Sequence, residues 1–443
     1  MRKTCSLKQI FALLCVTLAV VTLSNILSSV PVDLNKLSSL EVNLNGVKLD
    51  TKREVEGGHI VGPKKRVYKV SCAKVIEGDK TEITKAQTLM RETKSFRISD
   101  ESFINLTRDC QRFRESRDYD TIPVSKEELE FPIAYNLLLY RDVDQTERLL
   151  RAIYRKQNIY CLHVDASASL AVRNAMAAIA GCLKNVFMVS HAEDVIYEGF
   201  SRLKADLNCM EDLMKKDVQW KYLINIPSQQ FPLKTNLEIV KILKIYNGSN
   251  DIEGITVPGR MYSVRYKFKH KMSATKTLVR TSEKKEPPPH NITLVKGSAY
   301  GVFSRAFVKF ILEDKMAHDL LEWTKEVRSP DEYYWATLNH NKVIKAPGSY
   351  TAGIPDKKPW LAVYAAWGGA NPCHGKFVRG VCVFGVEDLN ELVSKKELFL
   401  NKLYIDYQPL TMDCLEEYIY NKSFSNIPFK TFYYKNLPFV RKS

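Results

Sequence analysis

Residues 134–165 carry the pattern that decides the fold: Ala134-Tyr-Asn-Leu-Leu-Leu-Tyr140, then Asp142 to Tyr154, then Asn158-Ile-Tyr-Cys-Leu-His-Val-Asp165. The first and last pieces are apolar runs of strand length. The middle piece sets Leu149, Leu150 and Ile153 at helical spacing. The alternation continues downstream. Ala168 to Leu183 reads as a helix, Val186-Phe-Met-Val-Ser190 as a third strand, Ser201 to Lys215 as a helix and Tyr222-Leu-Ile-Asn-Ile226 as a fourth strand. Strands and helices in this rhythm predict parallel βαβ units, hence an α/β fold with a mostly parallel central sheet. Ligands of such sheets bind at the carboxyl ends of the strands. Asp165 closes the second strand and is placed to touch a nucleotide; capping the next helix is its other reading.

Further along, Thr293-Leu-Val-Lys-Gly-Ser-Ala-Tyr300 predicts a strand entering a turn, followed by a helix from Ser304 to Leu312. Pro287-Pro-Pro289 marks the loop before it. Residues 356–376, rich in Pro, Gly and Trp, predict a surface loop beside a site. Residues 33–125 are polar and weakly periodic and read as a stem that becomes ordered near Cys110.

The N-terminus restricts the compartment. Arg2, Lys3 and Lys8 precede an uncharged run from Gln9 to Val32, whose strongly apolar part is Ile10 to Leu23. An uncleaved signal anchor is the preferred reading and a cleaved signal peptide the alternative. The organisation expected is a cytoplasmic tail at 1–9, a membrane anchor at 10–30, a lumenal stem at 31–125 and a catalytic domain at 126–443. Basic residues ahead of the span keep the tail cytosolic and the rest lumenal. Of ten cysteines, Cys5 and Cys15 fall in or before the anchor. The remaining eight form an even set suited to an oxidising space, with connectivity left open. They show no zinc-like spacing. Four N-x-S/T sequons, at Asn105, Asn247, Asn291 and Asn421, agree with a lumenal chain.

The net charge is +16. A lumenal protein does not meet nucleic acid, so anionic substrates such as nucleotide sugars, or an anionic membrane surface, are the partners this charge suits. Positive charge is densest from Arg260 to Lys285, read as a solvated loop. There is no phosphate-cradling or dinucleotide glycine motif, no G-x-S-x-G and no HExxH. Asp142-Val-Asp144 resembles a metal-holding Asp-x-Asp, but it opens a helix, where acidic residues serve the helix dipole, and is read as structural. A diphosphate would then need basic side chains, for which arginine is well shaped. Ser329-Pro-Asp-Glu-Tyr-Tyr-Trp335 allows two readings of Glu332. Ser329 and Glu332 have capping-box spacing, with Pro330 at the first helical position. A carboxylate beside Tyr333, Tyr334 and Trp335, rings able to stack on sugars and exclude water, also suits a general base.

Several segments carry a resemblance. They are Phe131-Pro-Ile-Ala-Tyr135, Leu149-Leu-Arg-Ala-Ile-Tyr154, Tyr160-Cys-Leu-His-Val-Asp165, Lys204-Ala-Asp-Leu-Asn-Cys-Met210, Trp220-Lys-Tyr-Leu-Ile-Asn225, Gly297-Ser-Ala-Tyr300, Ser329-Pro-Asp-Glu332 and Val378-Arg-Gly-Val-Cys-Val-Phe-Gly385. In this order they resemble the core 2 and I-branching β-1,6-N-acetylglucosaminyltransferases, over about residues 72 to 420. The resemblance implies a GT-A-type, Rossmann-like nucleotide-sugar transferase anchored in the Golgi membrane as a single-pass type II protein. It implies inverting, metal-independent transfer of GlcNAc from UDP-GlcNAc to a 6-hydroxyl of GalNAc or Gal on O-linked glycoprotein glycans, without a cofactor. Glu332 matches the catalytic base, and Arg379 and Lys402 match the cations at the diphosphate. Leu138, Leu139, Tyr140, Asp165, Ala166, Ser167 and Tyr197 match donor contacts. Glu253, Arg260, Arg265 and Trp367 match acceptor contacts. The implied bridges are Cys72–Cys414, Cys110–Cys182, Cys161–Cys209 and Cys373–Cys382.

The departures concern the acceptor. The segment between Trp367 and Cys373 is shortened to Gly368-Gly-Ala-Asn-Pro372, and an acceptor tyrosine has no counterpart. The match around Arg260 to Arg265 is loose. Pro227-Ser-Gln-Gln-Phe231 stands where relatives often carry Cys-Gly-x-Asp. Branching of poly-lactosamine galactose, or glycan binding without catalysis, are therefore alternatives. A glycosidase would need a partner acid across from Glu332, and Asp331, adjacent in sequence, is expected to point elsewhere, so that reading is set aside.

Overall fold

The computed structural model describes residues 65–440, except 66, 68, 94–96, 257–259 and 370; side chains of residues 260–262 are outside the description. The expected tail, membrane anchor and first third of the stem, through residue 64, lie outside the described residues. No described helix is long and apolar enough to cross a membrane.

The expected alternation forms a six-stranded sheet. β1 (Ile133–Leu139), β2 (Ile159–Val164), β3 (Val186–Met188) and β4 (Tyr222–Pro227) are parallel. The third strand ends two residues earlier than its apolar run suggests. β9 (Gly301–Ser304) runs antiparallel to β4, and β6 (Asp251–Ile252) antiparallel to β9. The order is β3-β2-β1-β4-β9-β6. Every residue of β1 is buried. Helices cover both faces, which is why the strand reads as one apolar run rather than an alternation. Tyr135, Leu137 and Leu139 enter one core layer with the helix Val143–Ile153. Ala134 enters the other, with Trp220, Phe303 and Trp335. From β1 the chain passes outward to β2 and β3, then returns to β4 on the other side. The order reverses between β1 and β4, and the carboxyl ends of strands at such a reversal are where sheets of this kind bind ligands.

Three expectations are corrected. Residues 293–300 are not a strand. Lys296 makes an isolated antiparallel bridge to Ile255, and the strand begins at Gly301. Within 356–376 the chain is not merely a surface loop: Leu361, Ala362, Val363 and Ala366 are buried. β10 (Val363–Tyr364) pairs with β13 (Phe399–Asn401), which in turn pairs with β5 (Gln230–Pro232). The basic stretch is a helix, Arg260–Lys267, followed by a hairpin of β7 (Phe268–Met272) and β8 (Leu278–Lys284). Lys269 on β7, Lys276 in the turn and Lys285 just after β8 pair with Glu283, Asp194 and Glu326.

Part of the segment expected to be stem belongs to the folded core. Val67, Val70, Val75, Phe103 and Phe113 lie in the same core layer as Tyr135. Short helices at Cys72–Glu77, Lys80–Glu92, Asp100–Leu106 and Cys110–Ser116 each bury only one or two side chains, too few for a visible period. Bridges Cys72–Cys414 and Cys110–Cys182 fasten them, and Cys161–Cys209 and Cys373–Cys382 complete the four implied pairs. A buried ion network adds to this, with Arg117 and Arg151 on Glu147, and Arg148 and Arg151 on Glu416. Burial pushes the Glu147 carboxyl up, but its two arginines outweigh this and hold it low. Asn105, Asn247 and Asn291 are exposed, while Asn421 is half-buried on the helix Pro409–Lys422.

Candidate active site

The strand ends supply the first part of the site. At the end of β2, Asp165 Oδ1 accepts from the Ser167 amide at 2.8 Å and the Ser167 hydroxyl at 2.6 Å; Oδ2 accepts from the Val195 amide at 3.2 Å. Asp165 thus shapes its own turn and ties down the loop after β3. It does not cap the next helix, because Ser169 does. The Ala166 amide donates to Glu193 O, and Leu138 and Leu139 carbonyls accept from Ser228 and Asp165. Gln145 staples this end together: its side-chain amide donates to the carbonyls of Ser228 and Leu403, and its oxygen accepts from the Ile405 amide. Nothing in the sequence marks Gln145 for this task. Asp142 and Asp144 have protein partners, Arg97 and Arg141 for the first and the Ile98 amide for the second, as suits a structural pair.

Two cations converge beside these ends. Arg379 lies at the tip of a hairpin between β11 (Lys376–Val378) and β12 (Val381–Val383), with φ of 53° at Arg379 and 78° at Gly380. Positive φ at both positions is the two-residue hairpin geometry that follows strand twist, and glycine relieves one of them. The Arg379 guanidinium sits 4.5 Å over the exposed Tyr197 ring. Lys402 donates to the Val378 carbonyl at 3.1 Å and lies 5.3 Å from the Tyr404 ring. Burial and then the charge of Arg379 pull the Lys402 ammonium below its usual range. Among the described residues neither cation has a carboxylate partner within ion-pair distance. Two neighbouring positive charges without such a partner are a candidate site for an anion. The exposed Tyr140 borders it, with Arg141 stacked between the Tyr140 and Tyr404 rings at 5.3 and 5.7 Å.

The second part is built around Glu332. The expected capping box is absent. The helix Asp331–His340 begins after Pro330 without a side-chain cap, and the Glu332 amide donates to the Ser329 backbone carbonyl. Ser329 has φ of 54°, its amide drawn to the Glu198 carbonyl at 2.7 Å. The Glu332 carboxylate instead meets Arg265 at 3.0 Å and Lys296 at 3.4 Å, and is 28 % exposed. Two cations outcompete one backbone amide for the carboxylate. Tyr333, Tyr334 and Trp335 are fully buried, so they anchor the helix in the core rather than offering faces to sugar. Asp331 is buried, and burial lifts its carboxyl to about 6; Glu332 adds to this and Arg202 opposes it.

Of the expected acceptor contacts, Arg265 holds Glu332 itself and also approaches Glu198 at 3.8 Å. Glu253 is half-buried. Burial raises its carboxyl, Lys296 pulls it back and the charge of Glu332 raises it further, so the two carboxylates share one electrostatic field. Trp367 is 55 % exposed and bridges to Val381 behind the Arg379 hairpin. The side chain of Arg260 is outside the described residues.

The dipeptide Tyr197-Glu198 joins the two parts. Glu198 has φ of 61°. Tyr197 lies under Arg379, while Glu198 receives Arg328 and Arg265 and its carbonyl accepts Ser329. Sequence reading identified Tyr197 but missed Glu198 and Lys296, since neither stands in a motif.

Gly297 closes the side of the site next to Glu332. Its amide donates to the Glu332 carbonyl at 2.6 Å. A Cβ there would overlap the Glu253 carbonyl oxygen and come 2.9 Å from Ala336 Cβ. Gly297→Ala is expected to cost about 1–3 kcal/mol, the usual range for overpacking, and to displace Lys296. A thermal melt unchanged from wild type would refute this close fit.

A mainly parallel α/β sheet with two cations beside its strand ends, joined through Tyr197-Glu198 to a carboxylate, is an arrangement suited to group transfer. Comparison with known sequences sharpens this. The family described as Core-2/I-branching enzyme matches residues 133–393. The sheep beta-1,3-galactosyl-O-glycosyl-glycoprotein beta-1,6-N-acetylglucosaminyltransferase 3 (Ovis aries) is 36 % identical over 436 residues, 95 % of this chain and 97 % of its own length. The Homo sapiens protein of the same name is 38 % identical over 373 residues, covering 80 % and 83 %. A Homo sapiens beta-1,3-galactosyl-O-glycosyl-glycoprotein beta-1,6-N-acetylglucosaminyltransferase is 39 % identical over 375 residues, covering 81 % and 86 %. The chain belongs to the Core-2/I-branching enzyme family and is a glycosyltransferase.

Proposed function

We propose that the protein transfers GlcNAc from UDP-GlcNAc, with inversion, to the 6-hydroxyl of GalNAc or Gal in O-linked glycans, forming a β-1,6 branch. The single observation that carries this reading is the arrangement around Tyr197-Glu198, with an anion site at Arg379 on one side and the Glu332 carboxylate on the other. Glu332 takes the proton from the acceptor hydroxyl as its oxygen attacks the anomeric carbon, and the bond to UDP breaks on the opposite face. Arg379 and Lys402 meet the charge that develops on the leaving diphosphate. They supply fixed positive charge without a metal ion. Asp165 to Ser167, Leu138 to Tyr140 and Tyr197 hold the nucleoside end; Glu253, Arg260, Arg265 and Trp367 hold the acceptor. The names of the relatives support a β-1,3-galactosyl O-glycan as the acceptor, over poly-lactosamine. A type II anchor in the Golgi membrane, with the catalytic unit in the lumen, suits the four disulfides.

The test incubates the lumenal chain with UDP-GlcNAc, EDTA and a panel of core 1, core 3 and lactosamine acceptors. A β-1,6-branched product on core 1 is expected. No product on any acceptor would overturn the enzymatic reading, and product on lactosamine alone would move the acceptor to the I-branching class.

A further inference from the structure

The least explained charge in the site is Lys296. Its backbone is fixed from two directions. The Lys296 amide and carbonyl bond Ile255 at 3.0 and 2.6 Å, and the flanking residues Val295 and Gly297 bond Thr337 Oγ1 and the Glu332 carbonyl at 3.0 and 2.6 Å. The side chain is only 12 % exposed; its ammonium stands 3.4 Å from Glu332 and 3.1 Å from the Gly297 carbonyl. Lys296 is also the strongest positive influence on Glu253.

We propose that Lys296 is a positioning residue that lets the carboxylates of Glu332 and Glu253 remain ionised together at the acceptor hydroxyl. This rests on the transferase reading above. Two carboxylates in one electrostatic field disfavour each other's charge, and a cation beside one that acts on both reduces that penalty. The other charged groups around the pair come from every neighbouring element. Arg265 reaches Glu332 from the helix Arg260–Lys267, backed by Glu198 and Arg328. Asp331 precedes Glu332 on its own helix, with Arg202 and Asp206 behind it. Lys358 and Asp251 lie behind Glu253. Arg265 remains on Glu332 when Lys296 is lost, so the effect is a graded shift rather than abolition.

The experiment compares wild type, Lys296→Met and Lys296→Arg by initial transfer rates across pH, with donor and acceptor varied in turn. A carboxylate base works only when deprotonated, and loss of the cation makes deprotonation harder. The acid limb of kcat/KM for the acceptor should therefore move to higher pH by about one unit, a tenfold loss on the acid side. Rates should converge with wild type above the limb, donor KM should stay within about twofold, and Lys296→Arg should restore most of the profile. A lysine that served only packing would lower the rate equally at all pH values, so a Lys296→Met profile that superimposes on wild type after scaling overturns the proposal. Lys296→Gln serves the same comparison where the methionine variant does not fold. A wild type that transfers nothing would instead overturn the function on which the proposal rests.

Discussion

Glu332→Gln should reduce transfer by about 10²–10⁴-fold, the contribution usual for a general base, in a protein that still folds. The carboxylate caps no helix. Its partners, Arg265 and Lys296, stand in a partly exposed site where ion pairs contribute about 0–1 kcal/mol, and glutamine retains an oxygen for them. The helix itself is held by fully buried Tyr333, Tyr334 and Trp335, which the substitution does not touch. The expected result is a melt close to wild type, unchanged UDP binding and almost no branched product. Full activity in Glu332→Gln would leave Glu332 as no more than a partner for Arg265. Loss of folding would show that the carboxylate, against this geometry, carries structure.

Lys402→Met should lose about 10²–10³-fold in kcat, comparable with removing one donor from an oxyanion site. The side chain is buried beside Arg379, its ammonium donates to the Val378 carbonyl, and methionine reproduces its apolar stem without the charge. Arg379→Met should fall in the same range, and the double variant should lose less than the product of the two, because both act on one diphosphate. Chelation by EDTA should leave the wild-type rate unchanged. A strict requirement for divalent metal, or a Lys402→Met rate near wild type, would remove the two cations from the chemistry.

The central sheet was legible because its strands are continuous apolar runs separated by helices with their own period. The N-terminal helices were not legible: they bury single residues such as Phe103 and Phe113, and their stability rests on bridges to Cys182 and Cys414, far along the chain. Ser329 to Glu332 misled in a specific way. The spacing fits a capping box, but a cap is a contest between local amides and whatever else can reach the carboxylate. Arg265 and Lys296, brought in by a helix and by a bridge to Ile255, win that contest. The aromatic run after it misled similarly, since a sequence shows that rings are present but not which way the helix turns them.

By itself, the sequence determined the parallel α/β sheet, the position of Asp165 at a strand end and, through its likeness to a family, the names of Glu332, Arg379 and Lys402. Those follow from periodicity and motif, which are local. Only the tertiary structure decided that Glu332 is held by cations rather than serving as a cap, that Tyr197-Glu198 links Arg379 to the surroundings of Glu332, and that Lys296 stands beside Glu332 and acts on Glu253. Charges act through space at distances of a few ångströms, and residues 198, 265, 296 and 332 reach that distance only once the chain has folded.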